Sequence, residues 1–185
     1  KEGVENGLHP GAQLVVQQEG SSIVDVAVGN VAVDSLLHWF SATKPLAAVA
    51  VGQLWERGAL RLDDPVCRYI PEFAVAEKND VTLRHLLTHT GGFRSRLDLE
   101  WSDVSWEDAI GQVCAARKER RWPTGRKAGY HIASSWYALG EVVCRIDGRP
   151  YDQYVREEIF LPLGMSDCWL SMSEDRYRDY GARLA

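Results

Sequence analysis

The sequence predicts a mixed α/β fold in which two short strands come first and helices make up nearly all of the rest. Two observations carry this prediction. β-rich runs at 13–18 and 23–28 flank turn residues at 19–22, which is the pattern of a hairpin. From Pro45 onward the apolar residues recur with a period near 3.6 rather than two, which indicates helices. Because two strands alone do not form a stable sheet, we expect this hairpin to need further partners.

The helices are predicted from apolar periodicity and from the residues that start and stop it. The first is expected at 45–58, where apolar side chains fall on one stripe and Gly58 is well placed to end the helix. Gly91 and Gly92 stop a short helix, and Ser105 is the predicted N-cap of a longer one. The predicted helices after the first lie at 81–87, 105–116, 134–146 and 151–160.

Composition predicts one globular domain over residues 1–185, with 45% hydrophobic and 25% charged residues. The formal charge of −5 leaves no basic footprint, so nucleic acid is not expected as a partner. No apolar stretch is long enough to span a membrane and no signal-peptide pattern is visible, which favours a cytoplasmic protein over an exported one. The four cysteines lack metal-binding spacing, so reduced thiols are expected rather than a disulfide or a metal site.

Ser41 and Lys44 are three residues apart where the first helical pattern begins. Side chains at this spacing share one face of a helix, so the lysine amine can reach the serine hydroxyl. An amine packed among apolar groups gives up its proton more readily, and a helix N-terminus favours an oxyanion. The flanking Trp39, Phe40 and Pro45 fit a nucleophile with its base. The alternative is an N-cap followed by a surface lysine, which the spacing alone does not exclude.

Several further motifs accompany this pair, and they lie at 53–66, 69–73, 81–93, 129–130 and 161–167. In order and spacing, this set together with SATKP at 41–45 resembles the serine β-lactamase-like superfamily. The branch is the one with class C β-lactamases, D-alanyl-D-alanine peptidases, family VIII-type esterases and transacylases. The resemblance covers nearly the whole chain and implies the N-terminal half of a fold with an antiparallel sheet, flanking helices and a helical subdomain. It divides the chain into the sheet hairpin with the nucleophile helix (1–60), a helical region (61–150) and the start of the return to the sheet (151–185).

The resemblance implies that Ser41 is the nucleophile that becomes acylated and that Lys44 is a base or proton shuttle. Tyr130 matches the family's motif tyrosine, whose hydroxyl passes protons to the leaving group. A core aromatic is the alternative role for Tyr130. Because all three groups are side chains, the reaction is expected to need no cofactor, and the expected partner is a small-molecule acyl substrate.

Two departures from the family pattern bear on the substrate. Ile132 stands where the motif Tyr-x-Asn commonly has its asparagine, and it cannot donate an amide hydrogen bond. We therefore expect an esterase, amide hydrolase or transacylase, with a β-lactamase or D,D-peptidase and a non-catalytic scaffold as the alternatives. No Lys-x-Gly or His-x-Gly motif follows Tyr130, so a C-terminal remainder or a second chain is expected to complete the fold.

Histidines and tryptophans near these motifs supply the remaining candidates. His131 is a candidate substrate contact beside the motif tyrosine, with a structural role as the alternative. Trp101 and Trp106 are candidates for an aromatic or acyl-binding wall, with core packing as the alternative. His85 and His89 have the i, i+4 spacing of zinc ligands, but no acidic residue lies between them in the zincin pattern, so no metal site is predicted.

Overall fold

A computed structural model describes residues 2–99 and 104–184. Its helices and strands, in chain order, are α1 (Glu2–Glu5), β1 (Gly11–Gln18), β2 (Ser21–Gly29), α2 (Lys44–Glu56), α3 (Leu83–Leu87), α4 (Trp106–Ala115), α5 (Ser134–Asp147), α6 (Tyr151–Val155) and α7 (Glu174–Tyr180). The chain divides into two compact units. We call Lys1–Trp39 with Ser171–Ala185 the hairpin unit, and Phe40–Leu170 the helical unit.

The predicted strands and helices are present, with shifted ends. α2 begins at Lys44 and ends at Glu56, and the chain leaves it through Gly58. The φ of Gly58 is 71°, a left-handed conformation that suits glycine and strains other residues. The predicted helix at 151–160 is α-helical only to Val155, after which it continues as a wider π-helix.

In the hairpin unit, β1 and β2 form a two-stranded antiparallel sheet within the described residues. The turn between them has positive φ at both Glu19 and Gly20, as a tight hairpin turn requires. Large apolar side chains of both strands are exposed, namely Leu14, Val15, Val16, Ile23 and Val26. The strands therefore leave much of their apolar surface unburied.

In the helical unit, α5 packs against α2, α3, α4 and α6 and lies at the centre of the core. The core side chains include Val51, Leu54, Phe73, Leu86, Val113, Leu139, Val142, Tyr154 and Phe160. Burying a side chain of this size contributes about 1.5–3 kcal/mol. This packing fixes the direction of α5, whose N-terminus directly follows the segment that carries Tyr130.

Lys78 is a fully buried cation in the helical unit. Its ammonium donates hydrogen bonds to the carbonyl oxygens of Val75 (3.0 Å), Cys114 (2.7 Å) and Ala116, and it faces the Phe73 ring. Burial lowers the pKa of Lys78 to about 8. Because the three carbonyls belong to the segment before α3 and to the end of α4, the ammonium ties these two parts of the unit together.

All four cysteines are free thiols, and Cys114 is the buried one. None of the helices within 2–99 and 104–184 has the length and apolarity needed to cross a bilayer.

Candidate active site

Ser41 lies in a 3₁₀ turn, Phe40–Thr43, that leads into α2. The φ of Phe40 is 46°, so the backbone is strained directly before Ser41. Thr43 is the N-cap residue of α2. Its side chain makes no capping hydrogen bond, and its hydroxyl donates instead to the carbonyl oxygen of Phe40 at 2.7 Å. Ser41 is therefore not the N-cap, and it presents an exposed hydroxyl just before the helix.

The three side chains that the motifs select as catalytic lie together. Lys44 Nζ donates a hydrogen bond to Oγ of Ser41 at 3.0 Å, and the hydroxyl of Tyr130 donates to the same oxygen at 2.7 Å. Lys44 Nζ also lies 5.0 Å from the ring centroid of Tyr130 and 5.7 Å from that of Trp136. Hydrogen bonding with Ser41, and then with Lys44, lowers the pKa of Tyr130. Tyr130 is 52% exposed, so it is not a core aromatic.

His131 is fully buried, which contradicts its predicted contact with substrate. Its Nε2 donates to the carbonyl oxygen of Phe93 at 2.8 Å, and its Nδ1 lies 2.8 Å from the hydroxyl of Ser135. Because a carbonyl oxygen only accepts, Nε2 carries the proton and Nδ1 accepts from the serine. Burial lowers the pKa of His131 to about 4, so the ring is neutral at neutral pH. The position of His131 supports the structural alternative.

Of the two candidate tryptophans, only Trp106 belongs to the described part of the chain. Trp101 lies outside the described residues. Trp106 begins α4, and its ring packs against those of Tyr137 and Tyr151, at centroid distances of 5.1 Å and 5.9 Å. Its Nε1 donates to Glu141 at 2.7 Å. Trp106 thus supports two tyrosines that line the cavity beside Ser41, rather than lining that cavity itself.

His85 and His89 each accept a backbone hydrogen bond. Nδ1 of His85 accepts from the N–H of Thr82 at 3.2 Å and completes the capping box of α3. Nδ1 of His89 accepts from the N–H of His131 at 3.0 Å. Across the two described ranges, no group of three or more His, Cys, Asp or Glu side chains is arranged to hold a metal ion.

Asp98 holds the start of α5, a role that the catalytic motifs do not indicate. Its Oδ1 accepts hydrogen bonds from the N–H groups of Ala133 (2.8 Å) and Ser134 (3.0 Å), and its Oδ2 accepts from the N–H of Ser95 at 3.1 Å. A carboxylate at a helix N-terminus is stabilised by the helix dipole. The Ser95-x-x-Asp98 spacing of a capping box signals only the local bond from the N–H of Ser95 to Asp98, and no sequence pattern signals its bonds to the start of α5.

A cavity of about 410 Å³ opens beside Ser41 and Lys44. Its other lining residues are Phe40, Thr43, Ala47, Leu97, Ile132, Ala133, Trp136, Tyr137, Tyr151 and Leu170. Ile132, the residue that replaces the family's asparagine, is thus part of the wall. The sequence did not predict most of the other residues that line the cavity, because they come from separate segments and share no motif.

A comparison with known proteins establishes the family. A sequence profile of the Beta-lactamase family matches residues 1–182. The chain belongs to the β-lactamase family. The resemblance drawn from the motifs is confirmed, and with it the β-lactamase-like fold.

Relatives within the β-lactamase family carry several different names. Esterase EstB of Burkholderia gladioli is 32% identical over 78% of this chain, and acyltransferase calJ of Penicillium decumbens is 28% identical over 82% of it. The crystal structure of a penicillin-binding protein homologue from Caulobacter crescentus is 31% identical and matches the whole chain with a TM-score of 0.78. The chain spans 41% of the length of each of the first two proteins and 50% of the third. The described residues thus form part of the β-lactamase-like fold.

Proposed function

We propose that this chain carries the nucleophile of a serine hydrolase or acyltransferase, which transfers the acyl group of a small-molecule ester or amide onto Ser41. The single observation that carries the proposal is the Ser41 hydroxyl held between Lys44 Nζ and the Tyr130 hydroxyl, at 3.0 Å and 2.7 Å. A serine hydroxyl becomes a good nucleophile when a base lies within hydrogen-bond distance, and here two groups that are bases when deprotonated do.

In the proposed reaction, Tyr130 as the phenolate or Lys44 as the free amine accepts the hydrogen bond from Ser41 instead of donating one. The Ser41 oxygen attacks the carbonyl carbon of the substrate while its proton passes to that deprotonated group. Tyr130 suits this role because its lowered pKa makes the phenolate more accessible. The bond from the carbonyl carbon to the leaving oxygen or nitrogen then breaks, and Tyr130 returns the proton to that atom. Water or another nucleophile then attacks the carbonyl carbon of the acyl-Ser41 ester and loses a proton to Tyr130 or Lys44. The bond from this carbon to the Ser41 oxygen breaks, the acyl group leaves on the nucleophile, and the proton restores the serine hydroxyl.

The developing oxyanion needs backbone N–H donors. We assign the N–H of Ser41 as one of them, and a further segment or a second chain as the source of the other, since the relatives are about twice as long as this chain. The proposal needs no cofactor, because side chains carry out each proton transfer. The proposed partner is a small-molecule acyl donor, rather than nucleic acid or a membrane. The proposed location of the protein is the cytoplasm.

Ile132 favours an esterase, amide hydrolase or transacylase over a β-lactamase or D,D-peptidase. An isoleucine in the cavity wall offers no hydrogen bond to the polar groups of a β-lactam or a peptide. Relatives are named on both sides, an esterase and an acyltransferase on one and a penicillin-binding protein homologue on the other, so the choice rests on Ile132. A catalytically silent scaffold with this fold is the remaining alternative.

The test is intact-mass analysis of the full-length protein after treatment with a fluorophosphonate. We expect one adduct, mapped to Ser41, which is lost in Ser41→Ala and kept in Ser166→Ala, a control at an exposed serine. A folded protein without an adduct would support the scaffold. Turnover of nitrocefin that exceeds turnover of p-nitrophenyl butyrate would support the β-lactamase alternative.

A further inference from the structure

The cavity beside Ser41 has an apolar wall. Apart from Ser41, Thr43 and Lys44, every described residue that lines it is aliphatic or aromatic. Lys44 is the one charged side chain among these lining residues. At about 410 Å³, the cavity falls in the size range of sites for small molecules.

The charge of Lys44 is already engaged, because its amine donates to Ser41 at 3.0 Å. Among the described lining residues, Lys44 is the one cation that a carboxylate in this cavity could pair with, so the carboxylate would either lie against apolar side chains or draw the Lys44 amine away from Ser41. The first outcome is unfavourable because burying an unpaired charge costs its hydration. The second removes a partner of the nucleophile. A charged group in the cavity is therefore disfavoured in either case.

The position of Tyr130 indicates which end of a substrate enters the cavity. Tyr130 contacts Ser41, but it does not line the cavity. In the proposed reaction Tyr130 protonates the leaving group, so the leaving group must lie on the Tyr130 side of Ser41. The acyl group is then directed toward the cavity.

We propose that this cavity is an acyl-binding site for uncharged, apolar acyl groups, with Ile132 as a specificity-determining residue. The inference rests on the proposed function, since it concerns the acyl group that Ser41 takes up. Ile132 is 50% exposed, so a bound acyl chain has apolar surface to cover. Each methylene that becomes buried in this way raises kcat/KM about fourfold.

The first experiment compares substrates of the full-length protein. We expect kcat/KM to rise about tenfold from p-nitrophenyl acetate to p-nitrophenyl butyrate. For the negatively charged p-nitrophenyl hemisuccinate we expect kcat/KM to be about 100-fold lower than for the butyrate. Across a series of acetate esters with longer alcohol groups, kcat/KM should change little. Equal rates for butyrate and hemisuccinate, or a stronger dependence on the alcohol than on the acyl group, would overturn the inference.

The second experiment changes the cavity wall. Ile132→Asp should lower kcat/KM for the butyrate about 30-fold, whereas the exposed control Leu163→Asp should stay within about threefold of the wild type. Labelling of Ser41 by a small fluorophosphonate distinguishes failure of the acyl-binding inference from failure of the proposed function. If Ser41 of the wild type is labelled but the esters show no acyl preference, only the acyl-binding inference is overturned. If Ser41 is not labelled, the proposed function and the acyl-binding inference are both overturned.

A separate set of contacts surrounds His89. Its carbonyl oxygen accepts a hydrogen bond from the N–H of Gly129 at 2.9 Å, and its Nδ1 accepts from the N–H of His131 at 3.0 Å. These donors are the two chain neighbours of Tyr130. The His89 ring also lies 4.8 Å from the Tyr130 ring. One residue therefore holds the backbone on both sides of Tyr130 and packs against its side chain.

The backbone and the charge state of His89 fit this role. Its φ is 58°, a left-handed conformation that aims both the carbonyl and the ring at the Tyr130 segment. Burial, and then the charge of Lys44, lower the pKa of His89, while Asp98 opposes them. The neutral ring is required, because a protonated Nδ1 would be a donor facing the N–H of His131.

We infer that His89 is a positioning residue that sets the Tyr130 hydroxyl against Ser41. This role acts through Tyr130, so the loss of His89 matters only while the Tyr130 hydroxyl is present. The inference is independent of the acyl-binding cavity, which His89 does not line.

A double-mutant cycle on the full-length protein tests the inference. His89→Leu should lower kcat for p-nitrophenyl acetate by up to about 100-fold with KM within about threefold, because a misplaced group loses rate rather than binding. His89→Asn, which keeps an acceptor and tolerates positive φ, should recover most of that rate. In a Tyr130→Phe background, His89→Leu should lower kcat by less than about threefold relative to Tyr130→Phe alone. Additive losses overturn the inference, and so does a folded His89→Asn that is as slow as Tyr130→Phe.

Discussion

The hydroxyl of Tyr130 lies 2.7 Å from Oγ of Ser41, although the two residues are 89 positions apart in the chain. Two parts of the helical unit bring them together. Ser41 is presented by the turn before α2, while Tyr130 is held by His89 on the turn after α3 and is followed by the N-terminus of α5. The contact therefore depends on how α2 and α3 each pack against α5.

Removal of the Tyr130 hydroxyl should impair acyl transfer without unfolding the protein. In Tyr130→Phe the ring is kept, so we expect the rate of Ser41 acylation to fall about 10²- to 10⁴-fold because a proton-transfer group is lost. Stopped-flow measurement with p-nitrophenyl acetate reports this rate. Tyr177→Phe, at an exposed tyrosine of α7, is the matched control and should leave it unchanged. A Tyr130→Phe variant as fast as the control would remove Tyr130 from the mechanism.

Neutralising Asp98 should destabilise the start of α5. Its carboxylate accepts three backbone hydrogen bonds, and the amide of Asp98→Asn can accept at only one of the two positions. We expect the free energy of unfolding in urea to fall by about 2–3 kcal/mol. Asp25→Asn, at an exposed position of β2, should change it by less than about 0.5 kcal/mol. Equal stabilities of the two variants would contradict the anchoring role.

His131 should make the protein less stable in mild acid. Its pKa is about 4 in the folded protein and 6.5 ordinarily, so between these values the unfolded chain binds more protons than the folded one. Stability is therefore fully present above pH 6.5 and falls as the pH is lowered toward 4, by about 3 kcal/mol in all. Urea unfolding of the wild type and His131→Gln across this range measures the difference. We expect the two stability curves to converge as the pH falls, and parallel curves would refute the prediction.

Replacement of Lys78 should measure how much its three hydrogen bonds to carbonyl oxygens contribute to the free energy of unfolding. Lys78→Met fills the same volume but leaves the acceptors at Val75, Cys114 and Ala116 without a donor. We expect a loss of about 2–4 kcal/mol in the free energy of unfolding. Lys127→Met, at an exposed lysine, is the control and should be nearly neutral. A loss of less than about 1 kcal/mol in Lys78→Met would mean that relief of the buried charge offsets the lost hydrogen bonds.

Elements whose signals are local were predictable from the sequence. Two β-rich runs on either side of a turn identified β1 and β2, Gly58 marked the exit from α2, and Ser105 capped α4 as expected. Each of these signals lies within a few residues of the feature it predicts. The π-helical continuation of α6 was missed, because its apolar spacing does not differ enough from that of an α-helix.

The spacing of Ser41 and Lys44 was enough to determine from the sequence that they share one face at a helix start, because three residues of helix fix that geometry. The motif resemblance predicted that Tyr130 joins them, and its hydroxyl lies against Ser41. Only the tertiary structure decided that His131 is buried and that Ile132 lines the cavity. Tyr130, His131 and Ile132 are neighbours in the chain, and sequence cannot say which way each side chain turns. That choice depends on contacts from distant elements, among them the His89 turn and the Asp98 carboxylate that anchors α5.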